Sequence, residues 1–125
     1  MFIVANIAVP LYNQFVSNLF IGEKNMVKHI ILWTLKDMPE KEKVSVKQEI
    51  KAGLEGLKGK IPGLAEIKVI VDGRLSSSNA DLMLDSTFES AEALKTYSTH
   101  PEHVAVAETK VRPFTASRSC LDFVM

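Results

Sequence analysis

Four strand-like runs and two helical stretches alternate along this chain, and two helices can cover only one face of a four-stranded sheet. Residues 27–36 (VKHIILWTLK) are β-branched and aromatic-rich, apolar on both faces in the middle, and predict a strand. Asp37 then resembles a helix cap, with Pro39 in the first turn and Glu40 three residues after the aspartate. The helix that follows is expected to run to about Gly59. Its apolar positions Val46, Ile50, Leu54, Leu57 and Ile61 recur every three or four residues and make one buried stripe. Its lysines and glutamates lie mostly outside that stripe and form a solvated face.

Ile61-Pro62-Gly63 breaks the helix. Residues 66–72 predict a second strand, 73–79 a turn-rich loop and 81–88 a third strand. Ser90 is placed to cap a second helix over 91–98, with Leu94 and Tyr97 inward. His100-Pro101-Glu102-His103 reads as a kinked corner, 104–111 as one or two helical turns ended before Pro113, and 115–124 as the last strand. The order β-α-β-β-α-β is that of a ferredoxin-like α+β domain with an antiparallel sheet.

The two-residue period of strands sorts the side chains between the faces. His29, Ile31, Trp33, Ile67, Val69, Leu82, Leu84, Phe88, Leu121 and Phe123 are expected toward the helices. Ile30, Leu32, Ile70, Met83 and Cys120 then form an apolar centre on the other face. Lys28, Lys68, Asp72, Asp81, Asp85, Arg118 and Asp122 surround it. An apolar centre inside a polar rim is how an interface looks, so a homodimer with sheets face to face is expected.

Lys+Arg and Asp+Glu balance at 15 each, which argues against a nucleic-acid partner and against docking on an anionic membrane. The one cysteine, Cys120, permits no intrachain disulfide and suits a reducing, cytoplasmic setting; on the presumed interface strand it reads as inert packing. Residues 1–22 carry no charge. They lack the basic start of a secretory signal, and Pro10 with Asn13, Gln14, Ser17 and Asn18 spoils a membrane span. Residues 1–25 are therefore expected as an N-terminal extension, an appendage packed on the 26–125 domain or on a partner. The alternative is that Met26 is the natural start.

Two segments carry a likeness. One is Met26-Val27-Lys28-His29-Ile30-Ile31-Leu32. The other is Thr87-Phe88-Glu89-Ser90 with Tyr97-Ser98-Thr99-His100-Pro101-Glu102-His103-Val104. Together they resemble the stress-responsive A/B barrel domain (Dabb) family over about residues 26–124. The resemblance implies a dimer whose two sheets close into an α+β barrel, with a pocket for a small-molecule ligand between each sheet and its helices. Most relatives have no assigned reaction. One of similar pattern, a plant polyketide cyclase, performs aldol-type ring closure with Tyr and His side chains and no cofactor. Its pattern maps onto His29, Tyr97 and His103. A further histidine of that pocket falls here at about Leu82, which with Trp33 is expected to line the ligand site.

The residues themselves leave two readings open. An imidazole at His103 can take a proton from a carbon beside a carbonyl, and Tyr97 can hydrogen-bond the resulting enolate. His29, from the facing strand, can hold the second polar end. Equally, His103 can cap the corner by bonding backbone carbonyls, His29 can be a satisfied core histidine, and Tyr97 and Trp33 can be plain packing. His100 and His103 invite a metal, but Pro101 between them spoils helical presentation and no Cys or carboxylate joins at ligand spacing, so none is expected there. The competing functions are a small cofactor-free enzyme, a non-enzymatic stress or ligand-binding dimer, and an interaction module built on residues 1–22.

Overall fold

The computed structural model describes residues 25–125, so the expected packing of the N-terminal extension lies outside the described residues. Strand β1 (Val27–Leu35) leads to helix α1 (Glu40–Glu55), then strands β2 (Leu64–Ile70) and β3 (Leu82–Phe88). Helix α2 (Ala91–Thr99), short helix α3 (Pro101–Val106), a π-helical turn (Ala107–Val111) and strand β4 (Thr115–Val124) complete the chain. The sheet runs β2-β3-β1-β4 with every neighbour antiparallel, which is the ferredoxin-like order.

The expected α1 stripe is buried throughout, from Val46 and Ile50 to Leu54, Leu57 and Ile61. It packs with Ile31, Trp33, Val69 and Leu84 from the strands into one core. The helix stops at Glu55 rather than near Gly59: beyond it the turn tightens, with the Leu57 amide donating to the Leu54 carbonyl and the Lys58 amide to that of Glu55, before Gly59 turns the chain away at φ +86°. Asp37 does not cap α1. Pro39 holds the capping position in an extended conformation (ψ 147°), its carbonyl accepts from the Glu42 and Lys43 amides, and Asp37 is left exposed. Ser90 does cap α2, its Oγ accepting from the Ala93 amide at 3.0 Å.

Strand β2 lies at a sheet edge, where backbone groups need other partners. Helix α1 supplies them: the Val69 amide donates to Glu55 Oε2 at 2.8 Å and Lys51 Nζ donates to the Val69 carbonyl at 2.9 Å. Burial pushes the Glu55 carboxyl up, but its bonds with Lys51 and the Val69 amide outweigh this and hold it below the ordinary value.

The register corrects the expected assignment of β4. Paired residues share a face, and β1 places His29 opposite Asp122, Ile31 opposite Cys120 and Trp33 opposite Arg118. Asp122, Cys120 and Arg118 therefore turn toward the helices, while Leu121 and Phe123 join Ile30 and Leu32 on the helix-free face. A shift of one residue in parity moves every side chain of a strand to the other face. The helix-free face gains apolar surface from this: Leu121 is 62% exposed, Phe123 44% and Leu32 41%.

Gly63 ties the second strand to the second helix. Its carbonyl accepts from the Glu89 amide at 2.9 Å, its φ is +84°, and an added Cβ would lie 2.5 Å from that of Ala93. Gly63→Ala is expected to destabilise the domain by about 2 kcal/mol or more, from the left-handed backbone and the clash together. Chemical denaturation measures this directly, and Gly59→Ala, which meets nothing within 4 Å, should lose only the backbone part.

Candidate functional site

Between the helix-covered side of β1 and β4 and the α2–α3 corner lies a cavity of about 760 Å³. Its walls include His29, Trp33, Tyr97, His103, Cys120 and Asp122. The four residues expected to meet in one pocket by their chemistry, His29, Trp33, Tyr97 and His103, do meet. Leu82 is not among them: it is buried opposite Trp33 on β3 and is absent from this lining.

The corner that holds His103 is built by His100 and Pro101. His100 ends α2 in an extended conformation (ψ 133°), as a residue before proline prefers. Pro101 starts α3, where its missing amide costs nothing, and His100 Nδ1 accepts from the Glu102 amide at 3.1 Å. The chain turns back so that the His103 ring stacks on Tyr97 with centroids 4.1 Å apart and planes tilted by 32°. Tyr97 in turn packs on Phe88 at 4.8 Å, and the His29 ring meets the edges of both at 6.2 Å. The π-helical turn that follows contributes Ala107 and Val111 to the cavity wall, and Arg112 closes that turn by donating its amide to the Ala107 carbonyl.

His103 fulfils the capping reading and keeps a free nitrogen. Its Nδ1 lies 3.3 Å from the Ser98 carbonyl, which only accepts, so the proton belongs on Nδ1 and Nε2 carries the lone pair. Burial lowers the His103 pKa; the Ser98 bond works the other way, and the charges of His29, Arg112 and Arg118 lower it further. The ring is therefore neutral near pH 7.

Tyr97 is 1% exposed and its hydroxyl has no hydrogen-bond partner among the described residues. Burial raises its pKa far above the ordinary phenol value, which keeps the hydroxyl protonated and able to donate. On the opposite wall His29 Nδ1 and Asp122 Oδ1 are 2.5 Å apart, and Cys120 Sγ donates toward the same carboxylate oxygen at 3.4 Å. Burial raises the Cys120 pKa, as do the bond and charge of Asp122.

Asp122, Cys120 and the cations Lys95, Arg112 and Arg118 also line the cavity and were not expected there. For the β4 residues the missing information was strand parity. For Lys95 and Arg112 no sequence signal separates a pocket cation from a surface one.

The family profile described as Stress responsive A/B Barrel Domain matches residues 27–125. The chain belongs to the stress-responsive A/B barrel domain family. No curated protein matches it. Among solved structures it is similar to a dimeric protein of unknown function and ferredoxin-like fold from Bacteroides fragilis, with 35% identity over 80% of this chain and 96% of that one, at a TM-score of 0.74. A dimeric ferredoxin-like protein of unknown function from Thermobifida fusca matches at 23% identity, covering 80% and 91% of the two chains, with a TM-score of 0.68. A hydroxynitrile lyase from Passiflora edulis shares the fold at 17% identity, covering 82% and 94%, with a TM-score of 0.62. Among the described residues of this Dabb chain no helix is long and apolar enough to cross a membrane.

The unpartnered hydroxyl makes a stability prediction. A buried polar group without a partner costs about 1–3 kcal/mol, so Tyr97→Phe is expected to leave stability unchanged or raise it. Tyr97→Ala empties the centre of the aromatic stack and should cost about 3–5 kcal/mol. Urea denaturation of the two variants separates the hydroxyl from the ring.

Proposed function

We propose that this Dabb chain is a homodimer, paired through its helix-free sheet face, in which each protomer binds a small carbonyl compound and moves a proton on it. The observation that carries the reading is the Tyr97 ring, with its buried and unpartnered hydroxyl, stacked on a neutral His103, both residues lining one cavity. A polar group this costly to bury is retained where a ligand satisfies it. The cavity's volume, about 760 Å³, falls within the range usual for small-molecule sites.

In this reading Tyr97 donates its hydrogen bond to the substrate carbonyl. His103 Nε2 takes a proton from the adjacent carbon, and the C–H electron pair moves into the enolate that Tyr97 stabilises. His103, now an imidazolium, returns the proton to carbon or to the oxygen formed by ring closure. Its Nδ1–H stays on the Ser98 carbonyl, which fixes the ring while the other nitrogen works. No cofactor is required for these steps. Lys95, Arg112 and Arg118 give the cavity three cations against Asp122 alone among its acids, which favours a substrate carrying a carboxylate. A hydroxynitrile lyase on the same fold supports the capacity of this architecture for such chemistry without assigning the substrate.

The competing reading is a non-enzymatic ligand-binding or stress-resistant dimer. It has the same cavity and differs in what His103 does. The balanced charge and lone thiol support a cytoplasmic protein without a nucleic-acid or membrane partner.

Screening β-keto and polyketide-like acids should find a substrate on which His103→Ala loses turnover by about 100-fold or more, the usual contribution of a positioned base. Because burial lowers the pKa of this base, its neutral form persists into mild acid. The acid limb of kcat/KM should therefore have its midpoint below 6.5, with activity falling as pH drops through it. Full turnover by His103→Ala would leave the binding dimer standing and remove the enzyme.

For the assembly, Leu121→Glu with Phe123→Glu should convert a dimer to a monomer in sedimentation. Each added charge would be buried against its symmetry mate at a face that now presents apolar side chains.

A further inference from the structure

We infer that His29, Cys120 and Asp122 form a divalent transition-metal site on the cavity wall, with Zn²⁺ the ion its donors suit. The site follows from the β1–β4 register. His29 stands directly opposite Asp122, and Cys120, two residues back along β4, projects from the same face opposite Ile31. A nitrogen, a sulfur and a carboxylate oxygen, one from each residue, all lie within 4.8 Å of one another. This mixed donor set is soft enough for zinc and unsuited to magnesium or calcium, which take oxygen.

The spacing is close to that of three corners of a tetrahedron. With metal–ligand bonds of about 2.0–2.3 Å, the ligand atoms of a zinc site stand roughly 3.3–3.6 Å apart. Cys120 Sγ is 3.4 Å from Asp122 Oδ1 and 3.8 Å from His29 Nδ1, within a few tenths of that spacing. The third edge, His29 Nδ1 to Asp122 Oδ1, is a hydrogen-bonded contact of 2.5 Å, and seating a cation opens it by under about 1 Å.

Two further features support a ligand at this place. The His29 ring is held by Phe88 and Tyr97 at 6.2 Å on each side, so one donor is fixed before binding. All three residues line the cavity of about 760 Å³, so a fourth position opens onto a space large enough for a water or a substrate oxygen. A thiolate and a carboxylate neutralise the charge of one divalent ion. This inference is independent of the carbonyl reading, since it needs neither His103 nor a substrate.

The test uses the full chain with Co²⁺ as a spectroscopic probe, in buffer free of small thiols. We expect one Co²⁺ per protomer, intense tetrahedral visible bands and a near-ultraviolet thiolate-to-cobalt charge-transfer band, all displaced by Zn²⁺. Cys120 is the only thiol in the chain, so Cys120→Ser should abolish the charge-transfer band. Asp122→Asn and His29→Gln should each weaken binding by roughly tenfold or more, at least the cost of losing a supporting partner of a metal ligand. His100→Ala and His103→Ala should bind as the parent does. Should His29→Gln fail to fold, the exposed Cys120 and Asp122 carry the test. Weak octahedral Co²⁺ without a thiolate band, or a band and affinity unchanged in Asp122→Asn, overturns the site. Binding is read without turnover, so its failure leaves the proton-transfer reading untouched, and a catalytically inert protein that binds Co²⁺ this way leaves the metal site intact.

Discussion

The pairing of β1 with β4, with Val27 opposite Val124 and His29 opposite Asp122, decides what each face of the sheet carries. On the helix side it assembles a polar wall of Asp122, Cys120 and Arg118 against His29 and Trp33. On the other side it gathers Leu121 and Phe123 with Ile30 and Leu32. One register thus makes both a cavity that is polar on one wall and a sheet face that is too apolar for water. A slip by one residue would exchange them, putting an aspartate on the helix-free face and a phenylalanine in the cavity. Burial on the helix-covered face fixes the register, while Leu121, Phe123 and Leu32 remain 62%, 44% and 41% exposed on the other.

The aromatic stack works through the same exclusion of water. Phe88, Tyr97 and the rings of His29 and His103 form a continuous packed group between sheet and helices. Its low dielectric disfavours charge on Tyr97 and on His103. The His103 imidazole is held neutral and the Tyr97 hydroxyl is held protonated by one physical cause, and the two groups emerge in complementary states. A more exposed pair of the same residue types would lack that division of roles.

Most of the fold was legible in the sequence because its patterns are unambiguous where only one face is buried. The α1 stripe from Val46 to Ile61, the Ser90 cap and the break at His100-Pro101 all lie where the periodicity and capping chemistry put them. The parity of β4 was not legible. Its alternation of Leu121 and Phe123 with Cys120 and Asp122 says that one face is apolar, and in a sheet with a core on one side and exposed apolar side chains on the other this does not say which. The residues that depend on that choice, Cys120, Asp122 and Arg118, are the part of the site that was missed. Leu82, at the position matched to a pocket histidine, holds an aliphatic side chain that is buried in the core and outside this lining.

The Tyr-x-x-His-Pro-x-His stretch joins local chemistry to the site. In an unbroken helix, residues six apart are separated by about 9 Å along the axis and lie roughly 120° apart around it, so Tyr97 and His103 could not stack. Their rings are 4.1 Å apart because the backbone leaves the helix at His100 and restarts at Pro101 in a new direction. Each residue of the corner then has a distinct task. Pro101 denies His100 the helical conformation, His100 satisfies the amide of Glu102, and Ser98 lends its carbonyl, freed by the break, to His103 Nδ1. A histidine alone on a helix would have been one more surface base. Here the interruption of the helix both brings the imidazole over the tyrosine and fixes which of its nitrogens carries the lone pair.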